Sequence, residues 1–137
     1  MNPHISVITL GVSDLDRAKR FYGEGLGWSI QQDYPQWVCF SLDNGTSGLG
    51  LYTREALAAD AGVAPEGSGF GGITLSYLVR SEGRVDAVLA EAERAGGTIV
   101  RPAEGSPWGG RFGYFADPDG YLWKVAAGPG PQPFAAE

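Results

Sequence analysis

Histidine and cysteine are nearly missing from this chain: His4 and Cys39 are the single examples in 137 residues. A zinc site of the usual imidazole and thiolate type needs three or four such side chains, so the chain cannot assemble one by itself. One cysteine also excludes an internal disulfide. No apolar run is long enough to span a bilayer. Residues 1–10 lack the pattern of a secretory signal, and the expected location is the cytoplasm. Basic residues are sparse, with ten Lys and Arg against sixteen Asp and Glu, giving a net charge of −6. They form no cluster, which argues against a nucleic-acid surface and against an anionic membrane.

What is plentiful is glycine, at 22 residues, together with four tryptophans. Glycine at that level suits tight turns and close backbone approach. A hydrophobic content of 43% permits a real core, and the length suits one domain, here one of two similar halves. The segment 5-ISVITLGV-12 alternates, with Ile8, Leu10 and Val12 on one face and Ile5, Val7 and Thr9 on the other. Ser13 or Asp14 offers an N-cap. A helix is expected over 14–28, with Leu15, Ala18, Phe21 or Tyr22, and Leu26 as its stripe, ended by Gly25 and Gly27. Strands are expected at 29–34, 37–42 and 48–52, with hairpin chemistry in 43-DNGT-46.

Residues 53–71 change character and read as a connector, with a possible short helix in 54-REALAADAG-62. The first order of elements then repeats. A strand at 73–79 precedes a helix whose stripe is Val85, Val88, Leu89 and Ala92, stopped by Gly96 and Gly97. Three more strands follow at 98–101, 110–116 and 121–126. The last two are joined by 117-DPDG-120, whose Pro118 and Gly120 are turn residues. The architecture expected is α+β: two βαβββ modules, about 5–52 and 72–127, forming curled mixed sheets round a cleft with the helices outside. Residues 1–127 make the domain, and 128–137 read as a loose tail whose Phe134 could dock on a neighbour.

At this point the residues resemble a known family. The stretch 8-ITLGVSDLDRAKRFYGEGLGW-28 resembles the opening of the vicinal oxygen chelate superfamily, which includes glyoxalases, bleomycin-resistance proteins and extradiol dioxygenases. The stretch 115-FADPDGYLW-123 resembles its closing hairpin. The stretches 69-GFGGITLSYLVRS-81 and 108-WGGRFGYF-115 resemble a bacterial subgroup described only as glyoxalase or bleomycin-resistance-like. The likeness covers about residues 5–127. It implies a cleft lined by inner strands and, commonly, a homodimer. Enzymes of the superfamily carry His, Gln or Glu as metal ligands on those strands. By motif, the equivalent positions here are Val7, Thr74 and Lys124, with the fourth near Leu49 or Leu51. Valine has no donor atom, threonine is a poor ligand and an ammonium repels a divalent ion, so the resemblance implies a member without the metal site. His4 cannot substitute, because it lies three residues from Val7 and points to the other face of a continuous strand.

Other candidates have plainer explanations. Lys124 could serve as a general base if burial depresses its pKa, but snorkelling to water or pairing with a carboxylate is the commoner fate. A third reading has it donating a hydrogen bond to a bound ligand. Asp117 and Asp119 suit a turn better than a calcium or acid–base site. His4 reads as a surface residue, and Cys39 as a small buried hydrophobe. Trp123, Phe21, Phe40 and Phe115 read as core. Trp108, in a glycine-rich loop, could stack on a ligand, seal the domain as a lid or form a dimer contact.

The function expected first is metal-independent binding of a small molecule, plausibly sequestration of an aromatic antibiotic, with no cofactor. Its lining would be Trp37, Tyr52, Thr74, Ser76, Trp108, Phe112, Tyr114 and Lys124. The partners expected are a small aromatic ligand and a second copy of the chain. The alternative is a glyoxalase-like lyase or isomerase that uses a metal, or Lys124 with a polar residue such as Tyr114. A third possibility is a structural paralogue without a ligand, favoured if the cleft is packed with its own side chains.

Overall fold

The computed structural model describes residues 1–43, 45, 47–66, 70–116 and 120–137. Asn44 and Thr46 of the first hairpin turn, and Asp117, Pro118 and Asp119 of the second, lie outside the described residues. The expectations for those turns lie there too.

Strand β1 (Val7–Val12) carries the expected alternation. Asp14 caps α1 (Leu15–Arg20), its carboxylate accepting from the Arg17 amide at 3.0 Å. The helix does not run on regularly to residue 28. It opens into a π-helical turn at Phe21–Gly25, in a segment weakened by Gly23 and Gly25. The wider turn sends Tyr22 inward, against Phe40 at 5.9 Å and Trp28 at 5.1 Å. Phe21, expected in the core, is instead 57% exposed, and Leu26 of the expected stripe is also exposed.

Strands β2 (Ile30–Tyr34), β3 (Trp37–Ser41) and β4 (Gly48–Thr53) complete the first module. The connector does form a helix, α2 (Arg54–Ala61), capped by Thr53 and stopped by Gly62 at φ 80°. The second module follows as β5 (Ile73–Leu78), α3 (Glu82–Arg94), β6 (Thr98–Gly105), β7 (Arg111–Ala116) and β8 (Leu122–Ala127). All strands join one open mixed sheet in the order β2-β3-β4-β1-β5-β8-β7-β6. Each module has the same internal order. Within them β1 runs parallel to β4, and β5 parallel to β8. The modules meet at the antiparallel pair β1–β5, where Val7 faces Ser76 and Thr9 faces Thr74. The α+β fold of paired βαβββ modules expected from the repeat is what forms.

One face of the sheet carries α1 and α3. Val85, Val88 and Leu89 of α3 pack on Tyr77, Val79, Phe115 and Val125, with Trp123 stacked on Phe115 at 6.0 Å. Leu15, Ala18 and Tyr22 cover Val38, Phe40 and Leu51. The opposite, inner face is also covered, by two segments the sequence assigned elsewhere. Leu57, Ala58 and Ala61 of α2 are buried against Tyr52, Phe112, Tyr114 and Leu122. The tail is not loose. Phe134 is buried among Val7, Cys39, Trp37 and Leu78 of its own chain. The Ala136 amide donates to the Leu78 carbonyl at 2.8 Å, and the Arg80 amide to that of Glu137 at 2.9 Å. Arg84 donates to the Glu137 carboxylate at 2.6 Å, and Tyr77 also donates to it. His4 is half-buried rather than a free surface residue: its Nε2 donates to the Phe134 carbonyl at 3.0 Å.

Candidate functional site

Strand register sets the inner face in rows. Gly48, Val7, Ser76, Lys124 and Tyr114 stand side by side across β4, β1, β5, β8 and β7. One pair further along run Cys39, Gly50, Thr9 and Thr74. The repeat of modules also gives Lys124 a counterpart in the first module, where the resemblance would put a fourth metal position. Thr9 opposite Gly50 in the first module corresponds to Ser76 opposite Lys124 in the second, so the counterpart of Lys124 is Gly50. Leu49 and Leu51, proposed from the sequence, alternate with Gly48 and Gly50, and Leu51 is buried in the core under α1. The four equivalent positions are therefore Val7, Gly50, Thr74 and Lys124, without a carboxylate or imidazole among them. Burial pushes the nearby Cys39 thiol up to about 12, so it stays protonated at neutral pH, whereas metals bind thiolates. Among the described residues, no group of three His, Cys, Asp or Glu side chains is placed to hold an ion. These residues do not fit the divalent metal of the family's enzymes.

Lys124 is held by a residue from outside the sheet. Its Nζ donates to Asp60 Oδ2 at 2.8 Å, and the Tyr114 hydroxyl donates to the same oxygen at 2.5 Å. Asp60 sits in the last turn of α2. Arg101 of β6 donates to its backbone carbonyl at 2.5 Å and to that of Ala59 at 3.3 Å. The Arg101 guanidinium and the Lys124 ammonium lie 4.7 and 4.8 Å from the centre of the Phe112 ring. Burial, then the charge of Asp60 and its hydrogen bond, holds the Tyr114 phenol well above its ordinary pKa. Burial and the Asp60 charge likewise raise Tyr52. Both phenols remain neutral hydrogen-bond donors at neutral pH.

Of the residues expected to line a site, all but Trp108 lie on the inner face. Trp37 spreads its ring over Gly50, where an added β-carbon would come within 2.2 Å of it. It meets Tyr52 edge-on at 5.9 Å and donates from Nε1 to Gln32 at 2.8 Å. Tyr52 also lines a cavity of about 270 Å³ between the start of α1, the β2–β3 turn and the start of α2, with Leu15, Pro35, Thr53 and Ala56. Ser76 is buried beside Lys124. Thr74 is buried too, and its hydroxyl has no hydrogen-bond partner among the described residues. Phe112 and Tyr114 meet edge-on at 6.3 Å. Trp108 is 70% exposed on the β6–β7 turn and is not brought to this group.

Sequence reasoning missed Asp60 and Arg101, and it marked Phe134 as able to dock without placing it on the inner face. A signal existed for Asp60. It stands three residues after Leu57 and next to Ala61, inside the buried stripe of α2, where an acid needs a partner. Lys124, a cation on an inner strand, needs one equally.

Comparisons with known proteins bear on the family and the fold. The family model of the Glyoxalase/Bleomycin resistance protein/Dioxygenase superfamily matches residues 4–125. A glyoxalase-related enzyme from Fulvimarina pelagi is 38% identical over 93% of this chain and 90% of its own, with a TM-score of 0.44. An NAD-dependent benzaldehyde dehydrogenase structure from Legionella pneumophila is 21% identical over 88% and 96%, with a TM-score of 0.70. The Mn(II)-bound glyoxalase from Novosphingobium aromaticivorans is 24% identical over 90% of this chain and 38% of its own, with a TM-score of 0.56. The last two likenesses are of fold alone. No curated protein matches. The family match over nearly the whole chain, on a fold of two βαβββ modules, places this protein in the glyoxalase/bleomycin resistance protein/dioxygenase superfamily.

Proposed function

We propose that this protein binds a small aromatic molecule on its inner face without a metal, in the cytoplasm, and that it sequesters the ligand rather than converting it. The observation that carries the reading is the set Val7, Gly50, Thr74 and Lys124: two residues without a donor atom, one threonine, which is a poor ligand, and one ammonium already paired with Asp60. Trp37 and Tyr52 would offer ring contacts at one end. Phe112, Tyr114, Lys124, Thr74 and Ser76 would offer apolar and polar contacts at the other. Trp108, exposed on its turn, would join only as a flap or through a second copy of the chain. Catalysis by Lys124 is the weaker reading, because an ammonium held by a carboxylate is not a free base.

A specific observation favours a second reading, a structural role without a ligand. Leu57, Ala58 and Phe134 already occupy much of the inner face. One experiment separates the readings. Chelator-stripped protein is titrated with planar aromatic natural products, following tryptophan fluorescence, with and without zinc, manganese and nickel. Saturable quenching without metal, with the compound recovered unchanged, supports sequestration. Quenching or conversion only with metal sinks it, and no quenching by any compound favours the structural role.

A further inference from the structure

Two aromatic rings stand against alternate glycines of β4 on the inner face. A β-carbon at Gly50 would come within 2.2 Å of the Trp37 ring, and one at Gly48 within 2.7 Å of the Phe134 ring. Glycine weakens a strand interior and often marks a place where something approaches the backbone closely. Trp37 is rooted in β3 and tied to Gln32. Phe134 is brought by the segment after β8, whose 128-GPGPQP-133 has, among the described residues, no backbone hydrogen bond to the sheet. The hold on that segment begins at Phe134 itself. His4 Nε2 donates to the Phe134 carbonyl, the Ala136 amide to the Leu78 carbonyl, and Glu137 pairs with Arg84. The other cover of the inner face, α2, lies in the chain between β4 and β5 and is pinned by Lys124, Tyr114 and Arg101. Of the two covers, the Phe134 segment is the one that can leave. Its departure would bare a slot the size of one phenyl ring, walled by Val7, Cys39, Trp37 and Leu78. None of the four carries a charge at neutral pH, since burial keeps the Cys39 thiol protonated. Beside the slot stand one donor, His4 Nε2, and one acceptor, the Leu78 carbonyl. Phe134 meets the donor with its own main-chain carbonyl, a short alkyl link away from its ring.

We propose that the slot over Gly48 is the ring-binding site of the inner face, that it takes an uncharged arylalkyl amide, and that Phe134 is the protein's own occupant, displaced when the ligand enters. This rests on the small-molecule reading above and places the ligand's ring at the Trp37 end. The exchange is like for like. One ring replaces another against Gly48 and beside Trp37. The ligand carbonyl takes the His4 donor, and its amide N–H takes the Leu78 carbonyl. The Arg84–Glu137 pair, with the arginine side chain 45% exposed, opens to water at little cost. Because the slot is filled in the free protein, the apparent affinity is reduced by the small fraction of molecules in which Phe134 is out.

The test uses the full chain, stripped with chelator, and 3-phenylpropanamide as the probe. In the wild-type protein the amide resonances of Ala135 and Ala136 are expected to move saturably toward unstructured positions as the probe is added. Phe134→Ala removes the competitor and is expected to bind the probe at least tenfold more tightly, recovering part of its lost melting temperature. Adding His4→Leu to that variant is expected to weaken the probe several-fold. Should Phe134→Ala fail to fold, the wild-type titration decides alone. Binding to the wild type with Ala135 and Ala136 unmoved overturns the slot yet leaves the small-molecule reading intact, since the ring then sits elsewhere. Binding by the variant alone overturns it too, because a cavity made by truncation is then all that was filled. An unchanged affinity in the His4→Leu background likewise overturns the amide site. Failure of the probe to bind either protein removes the slot and counts against the broader reading as well.

Discussion

Removing the Lys124 ammonium strands the Asp60 carboxylate against Tyr114 and Phe112, with little water to solvate it. Lys124→Met is therefore expected to destabilise the fold by about 1–3 kcal/mol, less than a fully buried pair would lose, since the side chains keep 28% and 18% exposure. The double variant with Asp60→Asn should lose less than the sum of the singles. Urea denaturation of the cycle measures this, and strict additivity would mean that the two residues do not act as a pair. Gly50 makes a second residue-scale case. A β-carbon there would meet the Trp37 ring, so Gly50→Ala should cost about 1–3 kcal/mol and shift the Trp37 emission. An unchanged spectrum and midpoint would show that the ring moves aside freely. Lys124 was legible in the sequence as an anomaly, because it interrupts an apolar strand. Gly50 was not, because the lack of a side chain gives no clue to which face a strand presents.

Among the elements, the tail is the most exposed to test. Phe134 is the one large apolar residue in a stretch otherwise rich in glycine, proline and alanine, and its ring fits beside Gly48, 2.7 Å from where a β-carbon would stand. Phe134→Ala should cost about 3 kcal/mol and expose Trp37 to water, seen as a red-shifted emission. An ion pair with Arg84 also holds the last residue of the tail. The hydrogen bonds from Arg84 and then Tyr77 lower Glu137 below its ordinary value of 4.5. A lowered carboxylate pKa adds stability above the ordinary value, and that stability is lost as pH falls through the folded one. The contact of Glu137 with Arg84 and Tyr77 should therefore hold at pH 6 and loosen only as pH falls below the ordinary value of 4.5, measured from the resonances of Ala135 and Ala136. Loosening on the alkaline side of neutrality instead would point to a different anchor. The strands and α3 were legible because alternation and the Val85–Val88–Leu89 stripe are strong periodic signals. The course of the tail was not, since one aromatic in a proline-rich stretch carries no period. The place of α2 was equally hidden, because eight residues with three buried ones do not say which face receives them.

For the whole molecule, the approximate two-fold between modules decides which residues share the inner face, and that repeat was readable from the order of elements alone. Its edges are β2 and β6, and the β2 edge is the apolar one. Phe21, Leu26, Trp28, Ile30 and Tyr34, all within 21–34, are exposed. We take this region as the surface through which two copies would pair. Sedimentation velocity should then show a dimer that Trp28→Glu dissociates, and a monomer at all concentrations would refute the pairing. None of the described helices is long and apolar enough to cross a membrane. An inner face that carries Val7, Gly50, Thr74 and Lys124 should hold no divalent metal. The deciding measurement is calorimetric titration of zinc, manganese and nickel into chelator-stripped wild-type protein. The expected result is no saturable one-to-one binding and no gain in melting temperature. A stoichiometric site that disappears in Thr74→Val or Lys124→Met would contradict it.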